Sequence, residues 1–355
     1  MIIFPFSFER MIIYTFPVHT AFIERDVEML SPEHTVKALE FTQNPKTLPF
    51  HFIKQFFQLL WFLPKTDQYL CFFGGYHSVL PVWFARAFGK RCTIQAGGTD
   101  CMNMPEINYG NFRKKWLRKA TVYSFKNCHK ILPVAQALVK QQYQYDPRIS
   151  PSQGLLNLIP DLETPIQVIP NGFDIDFWVD QGNPRPELSF VTVAAGTSNP
   201  TRGLIKGYDL IKALARNNPD WKFTLIGDPD YHSSESNVDV KGKLNKGELL
   251  KELNKHQFYL QLSVSEGFPN ALAEAMSCGC IPIGSDVGAI REIIGGSGFI
   301  NEKKSIDPVI EWVDELKKEE PHELRLKARK RITENYTFEE RKNALISALN
   351  QRKDG

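Results

Sequence analysis

The sequence has few cysteines, and they are not arranged in pairs. Its 355 residues include six cysteines, and none forms a CxxC motif. A chain of this length needs no disulfide scaffold, so we expect a reducing, cytoplasmic compartment. Cys278 and Cys280 lie close in sequence, but no second Cys or His pair accompanies them. Small buried residues therefore explain this pair better than half of a metal site does.

Long apolar runs are also missing. No uninterrupted run of 18 apolar residues occurs, which argues against a membrane-spanning helix. The apolar start, residues 1–8, is broken by Glu9 and Arg10 and has neither a basic leading region nor a small-residue cleavage site, so no signal peptide is expected. The sequence also shows no repeat of solenoid period and no low-complexity linker.

Net charge is low, but it is unevenly distributed. The chain carries 43 Lys and Arg against 40 Asp and Glu, a net charge of +3, and residues 1–170 alone carry 18 against 12. A basic N-terminal half suits an anionic acceptor or a membrane surface with acidic lipids, and a chance unevenness of solvated charges is the alternative. Residues 113–130 are basic without any recognised nucleic-acid motif, so no nucleic-acid partner is predicted.

Apolar strand-like segments alternate with helix-like segments in two successive series. The first series has predicted strands at residues 11–16, 69–73, 91–95 and 130–134, and the second at residues 190–194, 222–226 and 258–262. This alternation predicts an α/β fold with two doubly wound, mostly parallel sheets, in which ligands bind beyond the carboxyl ends of the strands.

Residues 50–63 form a predicted helix that is unusually rich in aromatic residues. A helix lying on a membrane surface is one interpretation. The segment contains only one cation, Lys54, and its aromatic residues lie all round the helix. The pattern therefore favours a helix buried in the core.

The most informative segment is residues 263–283, SVSEGFPNALAEAMSCGCIPI. Gly267 permits a tight turn after a strand, and Pro269 suits the start of a helix that begins at Asn270. The free N–H groups at such a helix start form an anion site that fits a diphosphate. Glu266 and Glu274 flank this site, and their carboxylates are good acceptors for sugar hydroxyls. The alternative is that both are ordinary helix charges, although Glu274 is embedded among apolar residues.

This segment resembles the hallmark of family 4 glycosyltransferases, which are retaining enzymes of the GT-B fold. Five further segments match the family in order and spacing, and they are residues 168–174 (VIPNGFD), 206–207 (KG), 225–228 (LIGD), 240–244 (VKGKL) and 336–338 (YTF). The resemblance covers the C-terminal half from end to end. It implies two Rossmann-like domains facing across a cleft, with an acceptor-binding domain at residues 1–168, a nucleotide-sugar-binding domain at 169–336 and a C-terminal helix, residues 337–355, that packs back on the first domain.

The resemblance also implies roles for individual residues. Glu266 would hold hydroxyls of the donor sugar, Glu274 the ribose, and Lys206 the diphosphate. The family has an Arg just after Gly196, where this chain has Thr197, and Arg202 is expected to replace it. The loop at residues 17–21 lacks the family's glycine pair. The predicted catalytic residues are Glu266, Lys206, Arg202, Asp100 and His77, and the predicted donor-binding residues are Gly227, Lys241, Gly242, Gly267, Phe268, Pro269, Asn270, Ala271, Leu272 and Glu274.

The expected function is transfer of a sugar from a UDP- or GDP-linked donor to a glycan or lipid-linked acceptor, without metal or cofactor. The resemblance suggests bacterial surface polysaccharide or lipopolysaccharide assembly, in the cytoplasm or against the inner face of an anionic cell membrane. Asp100 and His77 are acceptor-side candidates, and capping of a strand end is the alternative for each.

Two other interpretations compete with this one. A single-domain GT-A enzyme would use an Asp-x-Asp metal site, and two such triplets begin at Asp174 and Asp228. Both are better explained by the junction and strand-end motifs in which they lie. A catalytically inactive sugar-nucleotide-binding subunit or sensor of the same fold is the second alternative.

Overall fold

A computed structural model describes residues 11–42, 44–316 and 321–351. The apolar start of the chain, including Glu9 and Arg10, lies outside the described residues. The chain forms two parallel sheets, each covered by helices, together with a two-stranded antiparallel pair. The two predicted α/β series are therefore confirmed.

The N-terminal sheet has five parallel strands in the order β2-β1-β3-β4-β5. Its central strands are almost continuously buried, because helices cover both faces and each apolar run packs on either side. The strands are β1 (Met11–Phe16), β2 (Thr35–Glu40), β3 (Thr66–Phe72), β4 (Arg91–Ala96) and β5 (Lys130–Pro133).

The helices of this domain lie on opposite faces of its sheet. The connection from β1 to β2 steps in one direction along the sheet and the later connections step in the other, so right-handed crossovers place the first helix on one face and the next three on the other. Packing of the second helix on the third, and of the third on the fourth, agrees with this placement. The helices are α1 (Ala21–Leu30), α2 (Leu48–Phe62), α3 (Tyr76–Ala87) and α4 (Lys115–Asn127).

A short irregular segment follows β5 before the second sheet begins. It contains two small helices and the antiparallel pair. These elements are α5 (Gln136–Val139), β6 (Gln141–Gln142), β7 (Ser152–Gln153) and α6 (Leu155–Leu158).

The C-terminal sheet has six parallel strands in the order β10-β9-β8-β11-β12-β13. In the chain order of these strands this is 3-2-1-4-5-6, the order of a dinucleotide-binding sheet, whose switch point lies between the first and fourth strands. The strands are β8 (Ser189–Val193), β9 (Lys222–Ile226), β10 (Val238–Lys241), β11 (Phe258–Gln261), β12 (Ile281–Ser285) and β13 (Phe299–Asn301). The helices are α7 (Pro200–Ile205), α8 (Tyr208–Asn217), α9 (Lys246–Leu253), α10 (Asn270–Ser277), α11 (Ile290–Ile294), α12 (Asp307–Leu316), α13 (His322–Asn335) and α14 (Phe338–Asn350).

The last helix leaves the C-terminal sheet and contacts the N-terminal domain. The backbone N–H of Phe173 donates to the carbonyl of Tyr336, and its carbonyl accepts from the N–H of Phe338, the first residue of α14. The helix then packs on α1, where the buried guanidinium of Arg341 lies 3.1 Å from Oδ1 of Asp26. The domain boundaries at residues 168 and 336 stay predictions.

The prediction that residues 50–63 form a buried core helix is wrong. The helix α2 forms as expected, but Gln55 and Leu59 are its only buried residues. Phe50, Phe57 and Trp61 are 73%, 62% and 81% exposed. A helix that is apolar all round has no polar side from which its solvent-facing side could be predicted. The sequence pattern therefore predicted that the whole helix is buried.

Candidate active site between the two domains

Glu266 lies in the loop after β11, at the switch point of the C-terminal sheet. Its side chain is largely buried. The atom Oε1 accepts hydrogen bonds from Ser263 Oγ at 2.8 Å and from Gln261 Nε2 at 3.1 Å, and it lies 2.5 Å from Nζ of Lys206. These contacts fix one oxygen of the carboxylate and orient the group at the edge of the sheet.

Two cations come from one helical turn near this loop, and Lys206 is the one that pairs with Glu266. Arg202 lies in α7, and Lys206 caps the same helix four residues later, so the two side chains share a face. Both line a cavity of about 430 Å³, together with Thr99 and Tyr109 from the N-terminal domain. The guanidinium of Arg202 also donates to the carbonyl of Ala195, next to the position where the family's Arg is missing.

The start of α10 lies directly after this loop. Pro269 is the N-cap, and no side-chain hydrogen bond caps the helix. The N–H groups of the first turn, from Asn270 to Leu272, therefore carry the positive end of the helix dipole, which attracts anions. Phe268 stacks near Phe173 at a ring distance of 5.9 Å and anchors the turn.

Glu274, in the second turn of α10, faces a second and larger cavity of about 830 Å³. Its Oε1 lies 3.8 Å from the guanidinium of Arg25, which comes from α1 of the other domain. Burial raises the pKa of Glu274, while the charges of Arg25 and Lys246 oppose this shift. A buried carboxylate with only a distant ionic partner has hydrogen-bonding capacity left for a ligand.

The two domains meet at a contact between glycines. The peptide of Gly97 and Gly98, after β4, packs directly on Gly267. A Cβ on Gly267 would overlap the carbonyl oxygen of Gly97, so this approach requires glycine. The loop that begins with Glu266 thus touches the N-terminal domain at its tip.

Asp100, a predicted acceptor-side residue, is fully buried in the loop after β4. Its carboxylate accepts from the backbone N–H groups of Gly74, Gly97 and Gly98 at 2.9–3.2 Å. Burial raises its pKa to about 6, although these hydrogen bonds lower it. Asp100 therefore joins the loop of Gly74 to the loop of Gly97 and Gly98, which agrees with the alternative that it caps a strand end.

His77, the other acceptor-side candidate, is also buried. Its Nε2 lies 2.8 Å from the carbonyl oxygen of Phe72 at the end of β3, where it serves as a donor. Burial lowers the pKa of His77 to about 4, so the ring is neutral at pH 7. Direct contact of His77 or Asp100 with an acceptor stays a prediction.

The predicted donor-binding residues at the ends of β9 and β10 have different surroundings. Gly227 has a φ of +117°, and a Cβ there would lie 2.8 Å from the carbonyl oxygen of Ala194. Lys241 forms an ion pair with Glu252 at 2.5 Å, which joins β10 to α9. Gly242 packs beside Pro229. The ion pair with Glu252 makes Lys241 a structural cation.

The Asp-x-Asp triplets form loop contacts. Asp174 accepts from the N–H of Phe177 at 3.0 Å, and Asp228 accepts from the N–H of Ser198 at 2.7 Å. Across the described ranges of the chain, no group of three or more His, Cys, Asp or Glu residues has an arrangement that could hold a metal ion. All six cysteines are buried and unpaired.

Several cleft residues were not identified from the sequence. Gln261 and Ser263 orient Glu266, and the alternation of these two polar residues at and just after the end of β11 was an available signal. Arg25 and Tyr109 come from the other domain. Because no local pattern relates them to Glu274 or Lys206, only the packing of the domains places them there.

The C-terminal part of the chain is similar to a known protein family. Residues 180–335 match the model of the family described as glycosyl transferases group 1. A GDP-mannose:cellobiosyl-diphosphopolyprenol alpha-mannosyltransferase of Xanthomonas oryzae pv. oryzae (strain PXO99A) is 28% identical over 166 residues. That alignment covers 42% of this chain and 43% of the relative, so it spans less than half of either protein.

Solved structures match nearly the whole chain. Sucrose-phosphate synthase from Thermosynechococcus elongatus aligns with a TM-score of 0.70 at 13% identity, over 96% of this chain and 98% of that one. Anabaena HepE in complex with UDP aligns with a TM-score of 0.68 at 14% identity, over 96% and 99%. The predicted GT-B arrangement of two Rossmann-like domains is thereby confirmed. Residues 180–335 are thus similar to the glycosyl transferases group 1 family, within a chain that has the GT-B fold.

Proposed function

We propose that this protein transfers a sugar from a nucleoside-diphosphate sugar to an acceptor bound by the N-terminal domain. One observation carries the proposal. The Glu266–Lys206 pair, Arg202 and the uncapped start of α10 all lie at the switch point of the C-terminal sheet, facing the other domain. This is the edge at which doubly wound sheets bind nucleotides.

The cations would act on the leaving group. Cleavage of the donor C–O bond leaves negative charge on the departing diphosphate. Lys206, Arg202 and the N–H groups at the start of α10 would stabilise that charge, because fixed donors in a cleft need no reorganisation as the charge develops. Arg202 would thus replace the Arg that the family has at the position of Thr197.

The two glutamates would hold the two ends of the donor. Glu266 would accept hydrogen bonds from hydroxyls of the sugar, and Glu274 would accept them from the ribose. The donor would then displace Arg25 from its long ion pair with Glu274. The larger cavity at Glu274, about 830 Å³, lies within the range of about 300–1,000 Å³ usual for small-molecule sites.

The stereochemistry, donor and acceptor are finer parts of the proposal. Resemblance to family 4 favours retention at the anomeric carbon without a metal ion, and assembly of a bacterial surface glycan. The names of the Xanthomonas relatives specify GDP-mannose and a diphosphopolyprenol acceptor, whereas HepE was solved with UDP. A GDP- or UDP-linked donor and a lipid-linked or polysaccharide acceptor are accordingly the first to test.

Thermal-shift titration with UDP, GDP, ADP and their common sugar conjugates, in the presence of a chelator, tests the donor site. One nucleotide series should stabilise the protein. Glu274→Ala should weaken that binding by about 10- to 150-fold, because a hydrogen bond to a charged group contributes about 1.5–3 kcal/mol. Glu311→Ala, at an exposed glutamate of α12, is the matched control and should bind as the wild type does.

Two results would contradict the proposal. Unchanged affinity in a folded Glu274→Ala protein would remove the ribose role. Tight binding of a sugar nucleotide with neither transfer nor donor hydrolysis would instead favour the inactive binding subunit, for which Thr197 in place of the family's Arg is the supporting observation.

A further inference from the structure

The outer surface of α2, α3 and α4 is unusually apolar. We call it the aromatic face and define it by the exposed large hydrophobic residues of these helices and of the C-cap of α3. Eight of the eleven exposed large hydrophobic side chains in the described part of the chain belong to it. They are Phe50, Ile53, Phe57, Leu60, Trp61, Trp83, Phe88 and Trp116.

The residues of α2 form a continuous stripe. Phe50, Ile53, Phe57 and Trp61 recur at intervals of three or four residues, so they share one side of the helix. The aromatic contacts continue onto α3, where Trp83 packs near Phe56 and Phe88. The exposed side chains of α2 and α3 thus form a cluster, which indicates a surface that is covered in use, unlike scattered single residues.

The charge of the same three helices has one sign. The helices α2, α3 and α4 contain no aspartate or glutamate. By contrast, α1 on the opposite face of the sheet carries Glu24, Asp26 and Glu28. The cations of the three helices are Lys54, Arg86, Lys115, Arg118, Lys119 and Lys126.

We propose that the aromatic face docks onto a bilayer surface that contains anionic phospholipids. Trp and Phe side chains partition into the boundary between headgroups and acyl chains, and the neighbouring cations would contact the negative headgroups. On α4, Trp116 is 67% exposed and Lys119 stacks over its ring, which places an apolar group and a cation side by side. A second copy of the chain fits less well, because its cations would face like charges.

No helix within the described parts of the chain meets the length and hydrophobicity needed to cross a bilayer. Docking would therefore be peripheral. Because helices of a parallel α/β unit begin at the carboxyl edge of the sheet, the starts of α2 and α4 lie toward the interdomain cleft. Docking would hold the acceptor side of the proposed site near the membrane. The docking itself does not depend on catalysis, so it goes beyond the proposed function.

Vesicle binding tests the proposal with the whole protein. The wild type should co-sediment with vesicles of phosphatidylcholine mixed with phosphatidylglycerol at low salt, and less at high salt. Three of its six tryptophans, Trp61, Trp83 and Trp116, are exposed on the aromatic face. Brominated lipids should therefore quench part of the tryptophan emission.

Two variants separate the apolar and ionic contributions. Phe57→Ser combined with Trp61→Ser should lower vesicle affinity by roughly 10- to 100-fold. Lys115→Gln combined with Lys119→Gln should lower it by roughly 10-fold and reduce its salt dependence. Leu326→Ser, at a residue 54% exposed on α13 of the other domain, is the matched control and should bind vesicles normally.

Three outcomes would overturn the inference. They are absence of binding to anionic vesicles, unchanged binding by the Phe57 and Trp61 double variant, and concentration-dependent self-association that this variant abolishes. The last outcome would assign the face to a second copy of the chain. Nucleotide thermal shifts measured on the same variants should remain unchanged, so failure to dock is distinguishable from failure of the donor site.

Discussion

At the scale of single residues, the cleft depends on charged side chains that pair with one another. Lys206 pairs with Glu266, and Arg25 pairs at longer range with Glu274. The motif spacing predicted Lys206, Glu266 and Glu274. It could not predict Arg25, because that residue lies in the other domain and reaches Glu274 only through domain packing.

The buried residue His77 gives the protein a predictable pH response. Its pKa in the folded state is about 4, against about 6.5 for an unfolded chain. Between these values the unfolded state binds more protons, so the contribution of His77 is complete above pH 6.5 and is lost as the pH falls through 4. We expect the stability difference between wild type and His77→Asn to fall by about 3 kcal/mol from pH 7 to pH 4, measured by urea denaturation.

Asp100 supplies an internal check on that experiment, because its pKa is raised by burial whereas the pKa of His77 is lowered. Its folded-state pKa is about 6, above the unfolded value of 3.8. The contribution of Asp100 is therefore present below pH 3.8 and lost as the pH rises through 6. If His77→Asn and Asp100→Asn changed the pH profile in the same direction, the assignment of both shifts to burial would be wrong.

At the scale of elements, the junction between the domains depends on α14. The buried Arg341 donates to Asp26 of α1 and to the carbonyls of Ile169 and Pro170. It thus joins the last helix, the first helix and the segment that connects the two sheets. Removing one partner of a buried pair leaves the other charged and unpaired, which usually costs about 3–5 kcal/mol.

Arg341→Met should therefore lower the free energy of unfolding by about 3–5 kcal/mol, measured by urea denaturation. The matched control is Lys342→Met on the same helix, where the ion pair with the exposed Glu339 contributes at most about 1 kcal/mol. Equal losses in the two variants would show that α14 contributes through packing alone and not through the buried pair.

At the scale of the whole molecule, the two domains contact each other through Gly97 and Gly98 on one side and Gly267 on the other. The three atoms nearest to a Cβ on Gly267 belong to Gly97 and Gly98 of the other domain. Gly267→Ala should therefore leave the C-terminal domain intact but prevent this contact. Donor turnover should fall about 100-fold, because small displacements of reacting groups have effects of that size.

Small-angle scattering should show a larger radius of gyration for Gly267→Ala if the contact closes the cleft in solution. Gly247→Ala in α9 is the control, since its nearest neighbour, Asn245 Oδ1, would lie at an ordinary 3.5 Å. If Gly267→Ala had the same turnover and the same radius of gyration as the wild type, contact between the glycine loops would not be part of the active conformation.

The sequence by itself determined the two parallel sheets and the segment containing Glu266 and Glu274. Both follow from local patterns, namely apolar runs that alternate with helices and a glycine–proline turn that opens α10. The tertiary structure alone decided that α2 lies on the surface, that Asp100 and His77 are buried behind their loops, and that Arg25 meets Glu274. These features depend on which side of an element faces its neighbour, and a helix that is apolar all round, or a polar residue at a strand end, carries no local signal of that choice.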